Sequence, residues 1–297
     1  MQEIEFKFQV PVKKRKALQK AFTLLKAEPI HLAAQYFDTA DQTLAKHCIA
    51  IRRRQENDEW KQTFKAVDTA KVLSRLELEF DIAPPETTTL DLENYKKDYS
   101  AIYKKLKRAL GLPLPTLELL FETNIQRLRV LQDVGSSTVE IALDIGKIFE
   151  EQNSVDIFEI EFELKQGSIE DLIAFIRPWV QKYQLSLDTH SKSDYGLLAV
   201  RQQSYFSAQY QTPLVLNRSS SEVEALQSIV ANCLQHLLPN ASSIARQQYS
   251  SEHIHQARVA IRRLRSAVKS FAAWSDAIQP QWKAELTTIF QALGGTR

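Results

Sequence analysis

Two short segments of the chain carry a glutamate at every second position. One contains Glu3 and Glu5, and the other contains Glu159, Glu161 and Glu163. Because side chains along a β-strand alternate between its two faces, the acids of each segment share one face, opposite isoleucine and phenylalanine. Carboxylates aligned in this way repel each other, and the repulsion becomes costly where their face is enclosed. The two segments therefore predict a site that binds a metal cation.

The same alternation recurs in other predicted strands, several of which have basic residues on the charged face. The pairs are Arg52 and Arg54, Lys61 and Lys65, Glu77 and Glu79, Arg127 and Arg129, and Glu140 and Asp144. One interpretation is an antiparallel sheet whose charged face meets water. The alternative is an antiparallel barrel with a charged interior and an apolar outside that helices cover, which explains why nearly every such position is charged. That interior would suit a metal-bound polyphosphate, since arginine and lysine bind phosphate oxygens and carboxylates bind hard divalent ions.

The composition of the 297 residues, 44% hydrophobic and 25% charged, is that of an ordinary globular protein. Residues 1–200 carry a net charge of −3 and residues 201–297 a net charge of +5, so the C-terminal part is better suited to a polyanion. The two cysteines, Cys48 and Cys233, are too few for a disulfide framework, and we expect both to be buried and reduced. We expect no membrane span, no signal peptide and a cytoplasmic location.

The hydrophobic periodicity predicts an α+β domain over residues 1–200, a linker over 201–217 and an all-α region over 218–297. Strands are predicted at 3–8, 35–39, 48–55, 59–66, 75–82, 117–131, 139–149 and 156–165, and helices at 12–26, 100–110, 168–184, 222–238, 253–274 and 281–293. In the third helix, the residues expected to face the core are Ile169, Leu172, Ile173, Ile176 and Val180.

A series of short motifs runs through the first 200 residues. They are Glu3-x-Glu5-x-Lys7, Tyr36-Phe37-Asp38-Thr39, Ile51-Arg52-x-Arg54, Thr63-x-Lys65, Arg75-x-Glu77, Arg127, Leu143-Asp144-x-Gly146, Glu159-x-Glu161, Ser191-Lys192 and Tyr195-Gly196. In residue types, spacing and order, the series resembles the CYTH superfamily, the triphosphate tunnel metalloenzymes. The resemblance implies an eight-stranded antiparallel β tunnel with flanking helices, in whose interior a phosphoanhydride is hydrolysed or a cyclase reaction takes place.

The resemblance also implies roles for individual residues. The metal-binding carboxylates would be Glu3, Glu5, Asp144, Glu159, Glu161 and Glu163. The residues that bind the triphosphate would be Lys7, Arg52, Arg54, Lys65, Arg75, Arg127 and Lys192. Two divalent ions, Mg²⁺ or Mn²⁺, would bind phosphate oxygens and activate the attacking water. Glu3, Glu5, Lys7 and Lys192 would take part in catalysis, with Glu77 or a carboxylate of the metal site as the proton acceptor; Tyr36 and Thr39 are expected to be structural.

A basic stripe is predicted on the helix over residues 253–274. At about 100° per residue, five residues fall on one side of this helix: His255, Arg258, Arg262, Arg265 and Lys269. Arg263 lies off the stripe. A cationic stripe can be a solvated helix face, but this one includes no acid, which favours polyanion binding. The pattern resembles part of the CHAD domain, a helical module associated with polyphosphate, so we call these five residues the basic stripe and expect longer polyphosphate as a second partner.

We therefore expect a cytoplasmic, metal-dependent triphosphatase that hydrolyses inorganic triphosphate (tripolyphosphate) to phosphate and pyrophosphate. The alternatives within the same superfamily are a nucleoside or thiamine triphosphatase and a class IV-type adenylate cyclase. An alternative of a different kind is a polyphosphate-binding protein without catalysis. Nucleic acid is the less favoured partner, because residues 1–200 are net acidic and binding would depend on the C-terminal part alone.

Overall fold

The structure, a computed structural model, describes residues 4–67, 75–87, 89–90, 92, 95, 99–150 and 153–294. Glu3 and the side chain of Arg75 lie outside the described residues, so their roles stay predictions. The described residues form two compact units. The first runs to residue 203 without 187–189, and the second holds 187–189 and 204–294. Within these ranges, no helix has the length and apolar character needed to cross a bilayer.

The first unit is built on an antiparallel sheet. Its strands are β1 (Glu5–Gln9), β2 (Glu28–Asp38), β3 (Ile49–Glu56), β4 (Glu59–Val67), β5 (Arg75–Ile82), β6 (Glu118–Val134), β7 (Ser137–Glu150), β8 (Asn153–Gln166) and β9 (Ser186–Leu187). Their order in the sheet is β5-β4-β3-β2-β6-β7-β8-β1-β9. The sheet has nine strands in the described residues where eight were predicted, because β9 has two residues and is too short to show alternation.

Five helices accompany the sheet. They are α1 (Val12–Leu24), α2 (Thr43–Lys46), α3 (Ser100–Leu110), α4 (Ile169–Tyr183) and α5 (Lys192–Val200). Helices α1 and α4 cover the apolar face of β8, where the Phe162 ring lies 6.2 Å from Phe175 and 5.7 Å from Trp179. Phe22 of α1 meets the same tryptophan at 6.3 Å. Covering this face removes large aromatic side chains from water, which stabilises the fold by about 2 kcal/mol for each buried ring.

A second apolar cluster covers the outer face of β3 and β4. Ile51 and Phe64 are buried there against Leu90, Tyr95 and Leu106, the last of which belongs to α3. The apolar faces of the strands therefore point away from the charged faces and are covered by helices and connecting segments. This arrangement confirms an antiparallel sheet with flanking helices on its apolar faces, as the barrel-like interpretation of the alternation expects.

Two expectations about burial were wrong. In α4, Leu172 and Ile176 are buried, but Ile169 and Ile173 are 36% and 38% exposed, because Phe175 and Trp179 occupy the side of the helix that faces the sheet. Cys48 is exposed rather than buried, whereas Cys233 is buried as expected. Cys48 lies in the turn from α2 to β3, where its backbone adopts the left-handed region with φ of 55°.

The second unit contains three α-helices among its described residues. They are α6 (Glu222–Ala245), α7 (Ser251–Ser270) and α8 (Gln281–Ala292). Helix α6 was expected to end before Pro239 but continues through it to Ala245. Proline removes one backbone hydrogen bond inside a helix, and Asn240, which is fully buried, follows it and donates to the His236 carbonyl oxygen at 2.7 Å.

Candidate active site

The charged faces of the strands line one cavity of about 480 Å³ in the first unit, a volume typical of sites for small ligands. The cations along its wall are Lys7, Arg52, Arg54, Lys61, Lys65, Arg127, Arg129, Lys165 and Lys192. The carboxylates along it are Glu5, Glu56, Glu77, Glu79, Glu140, Glu161, Glu163 and Asp194. Charges of both signs are thus concentrated in one partly open cavity, where their interactions are stronger than in bulk water.

Three carboxylates form a cluster at the wall of this cavity. Asp144 of β7 and Glu159 of β8 are register partners, and Glu161 follows on the same face of β8. Asp144 is fully buried and Glu159 is 3% exposed. One oxygen from each of the three carboxylates lies within 4.8 Å of the others, close enough for all three to bind one cation. We refer to these residues as the carboxylate cluster.

A glycine next to this cluster lets the two strands β6 and β7 approach each other closely. A Cβ atom on Gly146 would lie 2.0 Å from the carbonyl oxygen of Asn124 and 2.8 Å from the Cα atom of Ile125. Both of these atoms belong to the backbone, which cannot move aside cheaply. The strand ladder that holds Asp144 therefore needs glycine two residues further on.

Lys192 supplies a cation to the carboxylate cluster. Its Nζ atom lies 2.7 Å from Oδ2 of Asp144 and 2.9 Å from Oε1 of Glu161, and it also contacts Oε1 of Glu159. Lys192 is the first residue of α5. A capping box fixes that helix start: the Ser191 hydroxyl accepts from the Asp194 backbone N–H at 3.1 Å, and the Asp194 carboxylate accepts from the Ser191 N–H at 2.7 Å.

Two further cations complete the surroundings of the cluster. The Arg127 guanidinium donates to both carboxylate oxygens of Asp144 at 2.7 Å each and to Glu161 at 2.5 Å. Lys7 of β1 donates to Oε2 of Glu159 at 3.2 Å and to the backbone carbonyl oxygen of His190. Buried charges are tolerated when they are paired and hydrogen-bonded in this way.

The paired charges shift each other's pKa values. Burial alone would raise the pKa of Asp144 and of Glu161, but Lys192 and Arg127 more than offset it and both pKa values are lowered. Burial would lower the pKa of Lys192, yet the cluster's carboxylates raise it well above its usual range. Asp144 and Glu161 likewise raise the pKa of Arg127 against the effect of burial. All four groups are therefore ionised at neutral pH.

A second row of carboxylates crosses three neighbouring strands. Glu5 of β1 is the register partner of Glu163 of β8, which is in turn the partner of Glu140 of β7. Lys165 lies 2.7 Å from Glu163 and 3.6 Å from Glu140. Glu140 was not among the predicted site residues, although it shares a strand face with Asp144 and the alternation could have identified it.

On β3, β4 and β5, most basic residues of the cavity pair with acids. Lys65 lies 2.7 Å from Glu77, and Arg54 lies 3.1 Å from Glu79. Glu79, which was not among the predicted site residues either, also lies 3.8 Å from Lys61. Arg53, the residue between the two cavity arginines, points the other way and stacks on Phe37 at 5.2 Å, as the alternation predicts.

The structure brings most of the predicted site residues together. The predicted residues that line the cavity are Glu5, Lys7, Arg52, Arg54, Lys65, Glu77, Arg127, Glu161, Glu163 and Lys192, and Asp144 and Glu159 lie beside them in the carboxylate cluster. Lys61, Glu79, Glu140 and Lys165 also face this cavity and were missed, although each lies on a strand face already recognised as charged. The functional roles of all these residues remain predictions.

In the second unit, the basic stripe lies on α7. His255, Arg262 and Lys269 are exposed, while the guanidinium groups of Arg258 and Arg265 stack on the Phe290 ring of α8 at 4.7 Å and 5.5 Å. Arg263 lies off the stripe as predicted and donates to Oδ1 of Asn232 on α6 at 2.6 Å.

The chain is similar to proteins of known family. A family model described as the CYTH domain matches residues 1–194, and one described as the CHAD domain matches residues 228–297. An inorganic triphosphatase of Haemophilus influenzae is 33% identical over 202 residues, which is 67% of this chain and 55% of that protein. The chain therefore spans about half the length of this curated relative.

Two solved structures are similar to part of this chain. A candidate adenylate cyclase from Bacillus halodurans is 20% identical and covers 65% of this chain and 96% of its own, with a TM-score of 0.46. A candidate adenylyl cyclase from Hippeastrum, described as having a dominant triphosphatase activity, is 18% identical and covers 68% of this chain and 96% of its own, with a TM-score of 0.47.

Proposed function

Since the chain belongs to the CYTH domain family, we propose that it is a divalent-metal-dependent hydrolase that cleaves inorganic triphosphate into phosphate and pyrophosphate. The observation that carries this proposal is the carboxylate cluster with a cation among its oxygens, beside a cavity lined by arginine and lysine. One part of such a site suits a metal ion and the other suits phosphate oxygens.

The residues of the carboxylate cluster fit a hard divalent cation. All three offer oxygen ligands, which Mg²⁺ and Mn²⁺ prefer. The ammonium group of Lys192 already lies among these oxygens as a stand-in cation. Asp144, Glu159 and Glu161 would hold the metal, with Glu5 and Glu163 of the second carboxylate row as further ligands. When bound, Mg²⁺ or Mn²⁺ supplies charge neutralisation at the phosphate oxygens and lowers the pKa of water.

The cavity cations would bind the phosphate groups. Burial lowers the pKa of Arg54, and the nearby charges of Arg52 and Arg127 lower it further, while Glu79 and Glu56 act in the opposite direction. Such mutually repelling cations favour an anion between them. In the proposed complex, Arg52, Arg54 and Arg127 bind triphosphate oxygens, while Lys7 and Lys65 bind at the margins of the anion. Their charges would stabilise the transferring phosphoryl group.

Glu77 is the proposed proton acceptor for the attacking water. Its carboxylate lines the cavity beside Lys65, whose Nζ atom lies 2.7 Å away. An ionised carboxylate in this position could accept a proton and orient a water molecule. The alternative acceptor is a carboxylate of the proposed metal site.

Two observations favour inorganic triphosphate over a nucleotide. The relative from Haemophilus influenzae is an inorganic triphosphatase. In addition, Tyr36 is the one aromatic residue among the described residues that line the cavity, and its ring already stacks on Phe121 at 4.5 Å. A nucleotide base would therefore find no free aromatic surface in the described part of the cavity.

A substrate panel tests this proposal. Phosphate release is measured from triphosphate, ATP, thiamine triphosphate and long-chain polyphosphate, each with Mg²⁺, with Mn²⁺ and with excess chelator. We expect the highest kcat/KM for triphosphate and no turnover after chelation. A preference for ATP or thiamine triphosphate would contradict inorganic triphosphate as the substrate. Turnover that survives chelation would contradict the metal role. Tight binding without any turnover would favour a polyphosphate-binding protein.

A second candidate function is polyphosphate binding by the second unit. Arg258, Arg262, Arg265 and Lys269 form no ion pair with a carboxylate in the described residues, unlike most cations of the cavity. The guanidinium groups of Arg258 and Arg265 stack on the same Phe290 ring, which places two of these cations side by side. The match of residues 228–297 to the CHAD domain supports the same proposal.

A further inference from the structure

Arg52 differs from the other cations of the cavity in the groups that hold it. Its Nη1 atom donates to the hydroxyl oxygen of Tyr36, and its Nε atom donates to the hydroxyl oxygen of Thr63, each at 3.3 Å. Both partners are hydroxyl groups rather than carboxylates, and both residues are buried, with exposures of 6% and 1%. In the described part of the chain, Arg52 makes no ion pair with a carboxylate. Arg54, Lys65, Arg127 and Lys192 all make one.

The position of the Tyr36 hydroxyl is determined by the packing of its ring. Its ring stacks on Phe121 with the centroids 4.5 Å apart and an angle of 15° between the planes. Phe121 in turn packs against Gly196 of α5, where a Cβ atom would lie 2.2 Å from the ring. The hydroxyl therefore has little freedom to move away from Arg52, and the guanidinium is oriented before any ligand arrives.

The Thr63 hydroxyl is fixed in a similar way. It donates its O–H to Oε2 of Glu79 at 3.0 Å, and its oxygen accepts from Arg52 Nε. Glu79 is thereby separated from Arg52 by one hydroxyl group. A direct carboxylate contact would hold the guanidinium as well, but it would also neutralise the charge that an incoming anion needs.

We infer that Tyr36 and Thr63 are positioning residues, which hold the Arg52 guanidinium through hydroxyl groups rather than carboxylates and so keep its charge available for a phosphate group of the substrate. This inference rests on the proposed function, since it takes a phosphoanhydride as the ligand of the cavity. It gives Tyr36, expected from the sequence to be structural, a specific part in ligand binding. The fixed orientation lowers the ordering cost of binding, because a free arginine would lose side-chain freedom when it meets the anion.

Tyr36→Phe removes the hydroxyl and keeps the ring that stacks on Phe121. The matched control is Tyr95→Phe, which removes another buried tyrosine hydroxyl, one that accepts from Gln62 at 2.9 Å outside the cavity. Binding of inorganic triphosphate is measured by calorimetry in excess chelator, so that the result does not depend on turnover. We expect Tyr36→Phe to weaken binding about tenfold, equal to about 1.4 kcal/mol, and Tyr95→Phe to bind like the wild type. Thr63→Val is expected to behave like Tyr36→Phe.

The dependence on Arg52 is tested by repeating the substitution in an Arg52→Gln background. There the loss of the tyrosine hydroxyl should have no further effect on triphosphate binding, because the group that it holds is gone. Equal losses in both backgrounds, wild-type affinity in Tyr36→Phe, or no binding of triphosphate to the wild type would each overturn the inference. A wild type that binds triphosphate but releases no phosphate with Mg²⁺ or Mn²⁺ would overturn the proposed hydrolysis and leave the binding test of Tyr36 valid.

Discussion

The ammonium nitrogen of Lys192 lies 2.7 Å from Oδ2 of Asp144, a carboxylate that is fully buried. The lysine comes from the first residue of a helix, whereas the aspartate comes from the middle of a long strand, 48 positions earlier in the printed sequence. This contact keeps the pKa of the lysine raised and that of the aspartate lowered. The capping box of α5 and the ladder of β7 thus together determine the charge state of the carboxylate cluster.

The stability lost when this lysine is replaced should depend on pH. In the wild type, the lowered pKa values of Asp144 and Glu161 add stability above their ordinary values of 3.8 and 4.5, and this stability is lost as pH falls below them. In Lys192→Met the carboxylates lose a cation and their pKa values rise. We expect a loss of about 3 kcal/mol at pH 8 and a smaller loss at pH 5, measured by urea unfolding. Lys20→Met, at an exposed position of α1, is the control, and an equal loss at both pH values would contradict the expectation.

The carboxylate cluster should be required for turnover. Glu161→Gln keeps the shape of the side chain and removes its charge, so it should weaken metal binding and lower kcat with triphosphate by about a hundredfold or more. The measurement is phosphate release over a titration of Mg²⁺. Glu122→Gln, which changes an exposed carboxylate that accepts from Gln35 at 2.9 Å, should leave the rate unchanged. Wild-type turnover in Glu161→Gln would remove that residue from the proposed metal site.

Neighbouring arginines on β3 should differ in their effect on substrate binding. Arg54 lines the cavity, whereas Arg53 points outward and donates to the Thr87 carbonyl oxygen at 3.0 Å. Arg54→Ala should raise KM for triphosphate by about tenfold to a hundredfold, the range expected when a hydrogen bond to a charged group is lost. Arg53→Ala should leave KM near the wild-type value. If both variants raised KM equally, the alternation of faces would not determine which arginine binds the substrate.

Docking of α5 should depend on a glycine. In Gly196→Ala, the added carbon atom would overlap the Phe121 ring, and we expect a loss of about 1–3 kcal/mol of stability, the usual cost of overpacking. The double variant Gly196→Ala with Phe121→Leu should recover part of the loss, since leucine leaves room for the methyl group. Urea unfolding of the two single variants and the double variant tests this. A double variant whose loss of stability equals or exceeds the sum of the two single losses would contradict the prediction.

The basic stripe should bind polyphosphate through its charges. A double variant, Arg262→Gln with Lys269→Gln, changes two exposed cations of α7 and should weaken binding of long-chain polyphosphate and its dependence on salt. Triphosphate hydrolysis should remain unchanged, because neither residue belongs to the cavity. Lys283→Gln, an exposed position of α8 outside the stripe, is the matched control. Equal weakening in the control would indicate attraction by net charge rather than by the stripe.

Much of the first unit could be predicted because strand alternation is a strict geometric rule. The opposite directions of Arg53 and Arg54 follow from the period of two alone. The same rule places Glu79 and Glu140 on charged strand faces, although neither belongs to the motifs that gave the predicted site residues. Alternation alone cannot say which side of a sheet becomes the inside, so an open charged face and a charged interior both remained possible from the sequence.

Other features depend on contacts that no local pattern contains. The partners of Lys192 lie on two strands far away in the sequence, and its place at the start of α5 was not predicted. Helix α2 has four residues, too few for a periodicity to be recognised. Helix α6 continues through Pro239 although proline usually ends a helix. Ile169 and Ile173 have the spacing of core residues, but Phe175 and Trp179 fill the side of α4 that faces the sheet.

The most direct test of the central claim is an anomalous diffraction experiment on crystals grown with Mn²⁺ and inorganic triphosphate, with data collected at the manganese absorption edge. The charged rows of the strands should surround both ligands. We predict an anomalous peak within bonding distance of the carboxylate oxygens of Asp144, Glu159 or Glu161, and triphosphate density against Arg52, Arg54 and Arg127. Manganese and triphosphate bound outside this cavity, in crystals of a protein that hydrolyses triphosphate in solution, would contradict the account.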